Sequence, residues 1–288
     1  MVELEDLASL DLLIWLHRGE LAAQRLNCSQ SSISRRVNYC MQLFGTEINR
    51  INGEYQVGGH TQLLELERRI HQLYRLLKGH DLRLEADNWL APFFVTPAPK
   101  GWITGLYDSI THHRPVELMR SRVIDAYLTS LKIEFPLPND SDWILFDICR
   151  MPWSLMADRQ HPLAQEKGLK LHDVARFPKL TLPEGILPGT EIALKQRFLW
   201  DDPVSISRYR SEDWDGRTAD RASLIYGFTF TELLKPELNA IDFPLNLEAG
   251  VVLVVHREVA EQGAIQQLVD LLRNQASRLR RNHPCLQI

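Results

Sequence analysis

Residues 12–45 read LLIWLHRGELAAQRLNCSQSSISRRVNYCMQLFG and predict three short helices packed closely together. Apolar residues recur at three- and four-residue spacing through the first of them. The second, ELAAQRL, contains two alanines that are small enough for close packing. Ser29 is the predicted N-cap of the third helix, because a serine oxygen accepts a backbone N–H where a helix begins. This order predicts a helix-turn-helix.

The third predicted helix has two different faces. Ile33, Val37, Met41 and Phe44 are spaced for burial on one side. The opposite side is polar: glutamine and arginine can bond adenine and guanine edges, and serine can hold phosphate. An ordinary solvated helix surface is the alternative interpretation. The predicted DNA-binding residues here are Ser29, Gln30, Ser31, Ser32, Ser34, Arg35 and Arg36.

A short hairpin is predicted directly after this helix. Asn52-Gly53 is a strong two-residue turn signal, and Ile51, Tyr55 and Val57 can supply the flanking strands. Arg50 lies near the tip and is predicted to contact DNA, with a simple surface arginine as the alternative. The segment therefore predicts a two-stranded wing beside the helix-turn-helix.

The stretch TQLLELERRIHQLYRLLKG (residues 61–79) carries a heptad repeat. Its apolar residues are spaced three and four apart, which is the pattern of two helices wrapping around each other. Glu65, Glu67, Arg68, Arg69 and Arg75 are predicted to lie on solvated faces. A helix packed on its own domain is the alternative. The predicted dimerisation residues are Leu63, Leu66, Ile70, Leu73 and Leu77.

The helix-turn-helix resembles that of the LysR-type transcriptional regulators, with the spacing of its motif kept without a gap. The residues that carry the resemblance are Ala22-Ala23, Arg25-Leu26, Ser29-Gln30 and Ile33-Ser34-Arg35. The chain departs from the family pattern before the alanine pair, late in the recognition helix and in the wing, at 17–20, 39–40 and 48–50. It therefore resembles a diverged member.

The resemblance implies a winged helix-turn-helix, a linker helix and a two-lobed, periplasmic-binding-protein-like α/β domain that binds a small-molecule effector. It also implies a homodimer or homotetramer on double-stranded promoter or operator DNA. The implied domains are 1–60 (DNA binding), 61–79 (linker and dimerisation) and 80–288 (effector binding). Within the last, lobe I is expected at about 81–156 and 253–288, and lobe II at about 157–252.

Short apolar runs after residue 80 alternate with helical patterns, which predicts parallel α/β lobes. The expected helices are 101–113, 121–131, 190–198 and a C-terminal one containing Ile265, Leu268, Val269 and Leu272. The expected strands or strand-containing runs are 82–86, 116–121, 142–148, 152–157, 177–183, 203–210, 223–230 and 250–258. The tetrapeptide His161-Pro162-Leu163-Ala164 also resembles the passage between lobes in LysR-type proteins.

Ligands in open α/β folds bind outside the carboxyl ends of the strands. Loops after the expected strands therefore supply the candidate effector site. The family places a serine or threonine after the first strand, whereas this chain has Asn88-Trp89, so an aromatic wall is expected in place of a hydroxyl. A merely space-filling role is the alternative. The predicted effector-binding residues are Asn88, Trp89, Thr181, Tyr226, Phe228 and Thr229.

Charge and composition are those of an ordinary globular protein. Residues 12–80 hold nine lysines and arginines against five acidic residues, and residues 81–288 hold 24 against 28, so a mildly basic segment precedes an acidic one. No basic leader precedes an apolar segment and no apolar run reaches membrane-spanning length, so we expect a cytoplasmic protein without a membrane partner.

Catalytic and metal motifs are not found in the sequence. The four cysteines are scattered, and neither a nucleophile elbow nor a phosphate loop occurs. We expect a regulator with no cofactor, metal or enzymatic activity. Two alternatives stay open: a ligand-binding sensor module that has lost specific DNA binding, and an enzyme on the two-lobed scaffold.

Overall fold

A computed structural model of the chain describes residues 2–51, 54–107, 113–135, 141–179, 185, 187–201 and 222–288. The helices are α1 (Leu4–Leu16), α2 (Gly19–Arg25), α3 (Gln30–Phe44), α4 (Gln62–Lys78), α5 (Ala91–Phe94), α6 (His113–Arg120), α7 (Leu171–Val174), α8 (Pro188–Lys195), α9 (Thr229–Leu234) and α10 (Gly263–Asn282). The strands are β1 (Thr46–Ile51), β2 (Glu54–Gly59), β3 (Leu82–Ala86), β4 (Trp102–Thr104), β5 (Ala126–Thr129), β6 (Trp143–Pro152), β7 (Ser154–Asp158), β8 (Ile225–Gly227), β9 (Leu238–Ala240) and β10 (Glu248–His256).

The N-terminal head is a winged helix-turn-helix, as predicted. Ser29 caps α3, since its Oγ accepts the backbone N–H of Ser32 at 3.2 Å. Gly45 ends α3 in the left-handed conformation (φ +63°), which glycine adopts without steric cost. Strands β1 and β2 pair in antiparallel fashion to form the wing. Its turn, Asn52-Gly53, lies outside the described residues.

Lobe I is built on a five-stranded sheet in the order β4-β3-β5-β10-β6. Strand β3 is parallel to β4 and β5, whereas β10 is antiparallel to both β5 and β6. The parallel arrangement predicted for the lobes is therefore present in β3, β4 and β5, and is wrong for β6 and β10. Strand β6 leads the chain out to lobe II and β10 brings it back, so these two neighbours must run in opposite directions.

Three predicted elements of lobe I have a different secondary structure. Residues 116–121 were expected as a strand but lie mostly in α6, where Val116 and Met119 are buried at helical spacing. The expected helix 121–131 instead contains β5, whose residues are all buried. The expected helix 101–113 begins with the short strand β4. Short apolar runs buried on all sides do not distinguish a strand from a helix by periodicity.

Lobe II contains a three-stranded antiparallel sheet in the order β8-β7-β9, with α7, α8 and α9 around it. The expected helix 190–198 corresponds to α8. The expected run 223–230 divides into β8 and the start of α9. Residues 203–210 and most of 177–183 lie outside the described part of the chain.

Strand β10 shows how the sheet of lobe I is buried on both faces. Val251, Leu253 and Val255 belong to a core cluster that includes residues of α10. Val252 and Val254 point to the opposite face, into a cluster formed largely by the head. Because successive strand residues alternate between faces, the head itself covers one side of this sheet.

Candidate functional site

The polar side of α3 is exposed in this fold, while its apolar side is buried. Ile33, Val37, Cys40 and Met41 pack inside the head. Ser32 and Arg36 are half-buried, and Arg36 faces Asp6 of α1 with 3.5 Å between Nε and Oδ1. The other predicted DNA-binding residues of this helix are exposed: Ser29, Gln30, Ser31, Ser34 and Arg35.

Hydrogen bonds order the first turn of α3. Ser29 Oγ lies 2.8 Å from Ser31 Oγ and 2.9 Å from Ser32 Oγ, and Arg35 donates to Ser32 Oγ at 3.2 Å. The structure thus brings the serines and Arg35 together at the helix N-terminus, where backbone N–H groups favour an anion. Arg50 is exposed on β1 of the wing, and its guanidinium lies 5.5 Å from the centre of the Tyr55 ring.

The linker helix α4 exposes its apolar seam. The five predicted dimerisation residues have exposed fractions between 38% and 77%, so they do not pack on the described part of their own chain. The helix does pack on its own chain, but through its other side, where Leu64 and Leu76 are buried. The five exposed seam residues are Leu63, Leu66, Ile70, Leu73 and Leu77.

The charged side of α4 is the side that packs inside the chain. Glu67, Arg68 and Arg75 were predicted to be solvated, and all three are buried. This prediction is wrong because two buried carboxylates from other elements meet the helix. Asp11 of α1 accepts from Arg68 Nε at 2.8 Å, and Asp125 accepts from Arg75 at 2.8 and 3.2 Å.

Those two carboxylates also bind strand β3. Arg83 donates to Asp11 at 2.9 Å through its side chain and to Asp125 at 2.8 Å through its backbone N–H. Burial and the neighbouring Arg75 lower the pKa of Arg83 to about 10. Burial alone would lower the pKa of Arg75, but Asp125 more than offsets it and raises that pKa above its ordinary value. Both guanidinium groups therefore remain charged at neutral pH.

The carboxyl ends of β3 and β5 meet at a third buried carboxylate, Asp87, which directly follows β3. It accepts from Tyr127 Oη at 2.6 Å, Thr129 Oγ1 at 2.9 Å, and Ser130 N and Oγ at 2.8 and 3.2 Å. Burial raises the pKa of Asp87, against the effect of these donors. The carboxyl group ties the two strand ends together.

Two of the predicted effector-binding residues come together beside Asp87. Trp89 donates from Nε1 to Ser130 Oγ at 2.8 Å, and its ring lies edge-on to Phe228 with 6.3 Å between centroids. Phe228 in turn contacts Phe230, which stacks on Phe93 at 4.6 Å. These aromatic rings join lobe I to the start of α9. Asn88 is half-buried next to them.

The remaining predicted effector-binding residues lie elsewhere. Tyr226 donates to the carbonyl of Leu199 within lobe II, and burial raises its pKa. Thr229 Oγ1 lies 3.0 Å from Cys285 Sγ, near the C-terminus of the chain. Thr181 lies outside the described residues.

Glu134, which the sequence analysis did not identify, links lobe I to lobe II. It is 5% exposed and follows β5, and it accepts from the N–H groups of Gly189 and Thr190 at 2.9 and 2.8 Å and from the Thr190 hydroxyl at 2.7 Å. It thereby caps α8 of lobe II from lobe I. The sequence signal for such a contact was the helix start at Pro188-Gly189-Thr190, because the first N–H groups of a helix have no partners within it and need acceptors from elsewhere.

Among the described residues no helix is long and apolar enough to cross a membrane, and no group of three or more metal-ligating side chains occurs. The described arrangement comprises an exposed polar helix, an exposed leucine seam and two lobes joined by aromatic rings and a buried carboxylate. These features define the class of a winged helix-turn-helix head joined by a linker helix to a two-lobed α/β domain.

Comparison with solved structures identifies this architecture. The chain is similar to a full-length OxyR variant from Pseudomonas aeruginosa (15% identity, TM-score 0.55, covering 95% of this chain and 98% of that one). It is also similar to HinK, a LysR family transcriptional regulator from Pseudomonas aeruginosa (13%, 0.52, 97% and 100%). A third match is CbnR in complex with its target DNA (16%, 0.53, 95% and 100%).

The chain therefore has the fold of full-length LysR-type regulators, and the resemblance seen in its helix-turn-helix is confirmed at the level of the fold. No family sequence model matches the chain, and no curated protein matches it in sequence. Low identity over nearly the whole length fits a diverged sequence on this scaffold.

Proposed function

We propose that this protein is a sequence-specific DNA-binding transcriptional regulator of LysR type, and not an enzyme. The observation that carries the proposal is α3, whose polar side is exposed at a capped N-terminus while its apolar side anchors it in the head. Recognition helices of this motif place their N-terminal residues against base edges in the major groove. Such a protein acts on promoter DNA in the cytoplasm.

Different residues of the head have different roles in this proposal. Gln30 and Arg35 supply side chains that can bond base edges, and Ser29 and Ser31 lie where a phosphate meets the helix N-terminus. Arg50 on the wing contacts the adjacent backbone or minor groove. The similarity to CbnR, which was solved with its target DNA, supports this orientation of the head.

The exposed seam of α4 pairs two copies of the chain. Five apolar residues at heptad spacing on one side of a helix match a coiled-coil partner of the same kind. Pairing places two reading heads on one duplex, at half-sites about 34 Å or a multiple of that apart. A second pairing of such dimers would give a tetramer.

The cleft between the lobes is proposed to bind a small-molecule effector near Trp89 and Phe228. These rings already contact each other across the lobes, so a flat ligand would insert beside or between them. Binding would shift the balance between two arrangements of the lobes, which requires a different affinity for each.

The proposal is tested by fluorescence anisotropy with DNA from upstream of the protein's own gene, against scrambled DNA of equal length, across a salt series. We expect tighter binding to the upstream DNA, with the logarithm of affinity falling linearly with the logarithm of salt. Replacing Gln30 with alanine should weaken specific binding by about 1–3 kcal/mol and leave nonspecific binding unchanged, if Gln30 bonds an adenine edge.

Gln42→Ala is the matched control, because Gln42 is an exposed glutamine on the same helix, about 18 Å from Gln30 at 1.5 Å per residue. It should leave the preference unchanged. An equal loss on both DNAs for Gln30→Ala would contradict base reading. Indifference of the wild type to sequence would favour a sensor module without specific DNA binding, and turnover abolished by cleft substitutions would favour an enzyme.

A further inference from the structure

The head is docked on lobe I of its own chain through a shared apolar core. One cluster of buried side chains contains residues of α1, α2 and α3 together with residues of α6, β5, β6 and β10. Trp15 and Leu10 of α1 belong to it, as do Val116 of α6 and Val252 of β10. Because this surface is apolar on both sides, removing it from water stabilises the docked head.

Polar contacts fix the orientation of the docked head. Arg114 of α6 donates to the carbonyls of Ile14 and Tyr55 at 3.1 and 3.2 Å. Arg25 of α2 donates to the carbonyl of Thr104 at 3.0 Å. These partly buried polar contacts favour one arrangement of the head, since any other breaks them.

Strand β3 makes the closest polar contacts with the head. Glu85 accepts from Trp15 Nε1 at 2.6 Å, and Arg83 reaches Asp11 at 2.9 Å. The alternate residues Leu82, Leu84 and Ala86 point into the core on the other side of the sheet. Gly105 adjoins Glu85 so closely that a Cβ there would lie 2.0 Å from Oε2, so a glycine at this position leaves the room that the carboxylate occupies.

The same strand ends beside the rings that join the two lobes. Asp87 follows Ala86, and its carboxylate is held by Thr129 and Ser130 at the end of β5. At about 3.3 Å per residue, Glu85 and Asp87 are separated by roughly 7 Å along the strand. One short, fully buried strand therefore contacts the head at Arg83 and Glu85, and the residue directly after it, Asp87, contacts Thr129 and Ser130 at the junction of the lobes.

We infer that strand β3 is the mechanical connection between the inter-lobe cleft and the reading head, so that a change at Asp87–Trp89 reaches α1 through Arg83 and Glu85. The linker helix is not a free hinge in this arrangement, because Asp11 and Asp125 tie it to the same strand. The inference rests on the proposed function for its biological meaning but concerns the free protein.

Amide hydrogen exchange of the free, full-length protein tests the connection, with a substitution standing in for a cleft ligand. Ser130→Ala removes the acceptor of Trp89 and one donor to Asp87. We expect amides of α1 to exchange about three- to tenfold faster, as for loss of a hydrogen bond from a cooperative unit. In a Trp15→Phe background, which already loosens the contact with Glu85, Ser130→Ala should add little.

Thr190→Val is the matched control, since it removes another buried hydroxyl at this edge whose acceptor, Glu134, is not on β3. It should leave exchange in α1 unchanged. No response of α1 to Ser130→Ala, or an equal response to both variants, would overturn the inference. If Ser130→Ala does not fold, Trp89→Phe breaks the same hydrogen bond from its donor side, with the same expectation. Exchange is read without DNA, so failure of DNA binding would not affect the result.

Discussion

Helix α3 buries its apolar side inside its own chain, whereas α4 buries charged side chains beside Leu64 and Leu76 and leaves its heptad seam exposed. Both helices have the pattern of one apolar and one polar side. They differ in what the rest of the chain offers: α3 meets the apolar residues of α1, and α4 meets two buried carboxylates. An amphipathic pattern thus shows which side avoids water without showing whether the same chain or another copy covers it.

The largest expected effect is on the exposed side of α4. Replacing both Leu66 and Leu73 with aspartate should abolish self-association, because each carboxylate buried in a seam without a partner costs several kcal/mol. Analytical ultracentrifugation across a concentration series measures the change. Folding of the single chain should be preserved, since both side chains are exposed in it. An unchanged sedimentation profile would show that another surface joins the copies.

The charged side of α4 gives the next largest effect. Asp125→Ala leaves the guanidinium of Arg75 buried without its main partner and should lower the free energy of unfolding by about 3–5 kcal/mol. Denaturant titration measures it. Asp147→Ala is the control, because Asp147 pairs with Lys132 at a half-exposed site and should cost at most about 1 kcal/mol. Equal losses of unfolding free energy in the two variants would show that the buried Arg75–Asp125 pair contributes no more to stability than an exposed ion pair.

The smallest effect distinguishes the start of α3 from its buried side. Ser29→Ala removes the oxygen that accepts from Ser32 N and should cost about 1 kcal/mol of stability. Ser29→Gly should cost only a few tenths, since glycine is tolerated at this position. Thermal and denaturant unfolding of the three proteins measures these differences in stability. Equal stability of the wild type and the Ser29→Ala variant would show that the Ser29 cap does not stabilise α3.

The head could be predicted from sequence because its determinants are local. The Ser29 cap and the spacing of apolar residues each act within about one element. The effector domain was harder, since residues 116–121 and 121–131 are short apolar runs that fit either secondary structure. Only packing against the sheet decides between a helix and a strand there.

The buried charges could not be predicted from sequence, because the partners are distant along the chain. Asp11 and Arg68 are separated by 57 residues, and Arg75 and Asp125 by 50. Glu134 and Thr190 are 56 residues apart. A charged residue next to a heptad seam is usually solvated, so the tertiary fold alone reveals that these side chains are buried.

The shared core between head and lobe I has a consequence for protein engineering. A chimera that joins residues 1–60 to the effector domain of another regulator would place Asp11 and Trp15 against a surface without Arg83 and Glu85. Its reading head would fold beside a mismatched neighbour and lose its fixed orientation. Under the proposed function, the choice of DNA target and the choice of ligand would have to be exchanged together, as one segment that ends beyond β5.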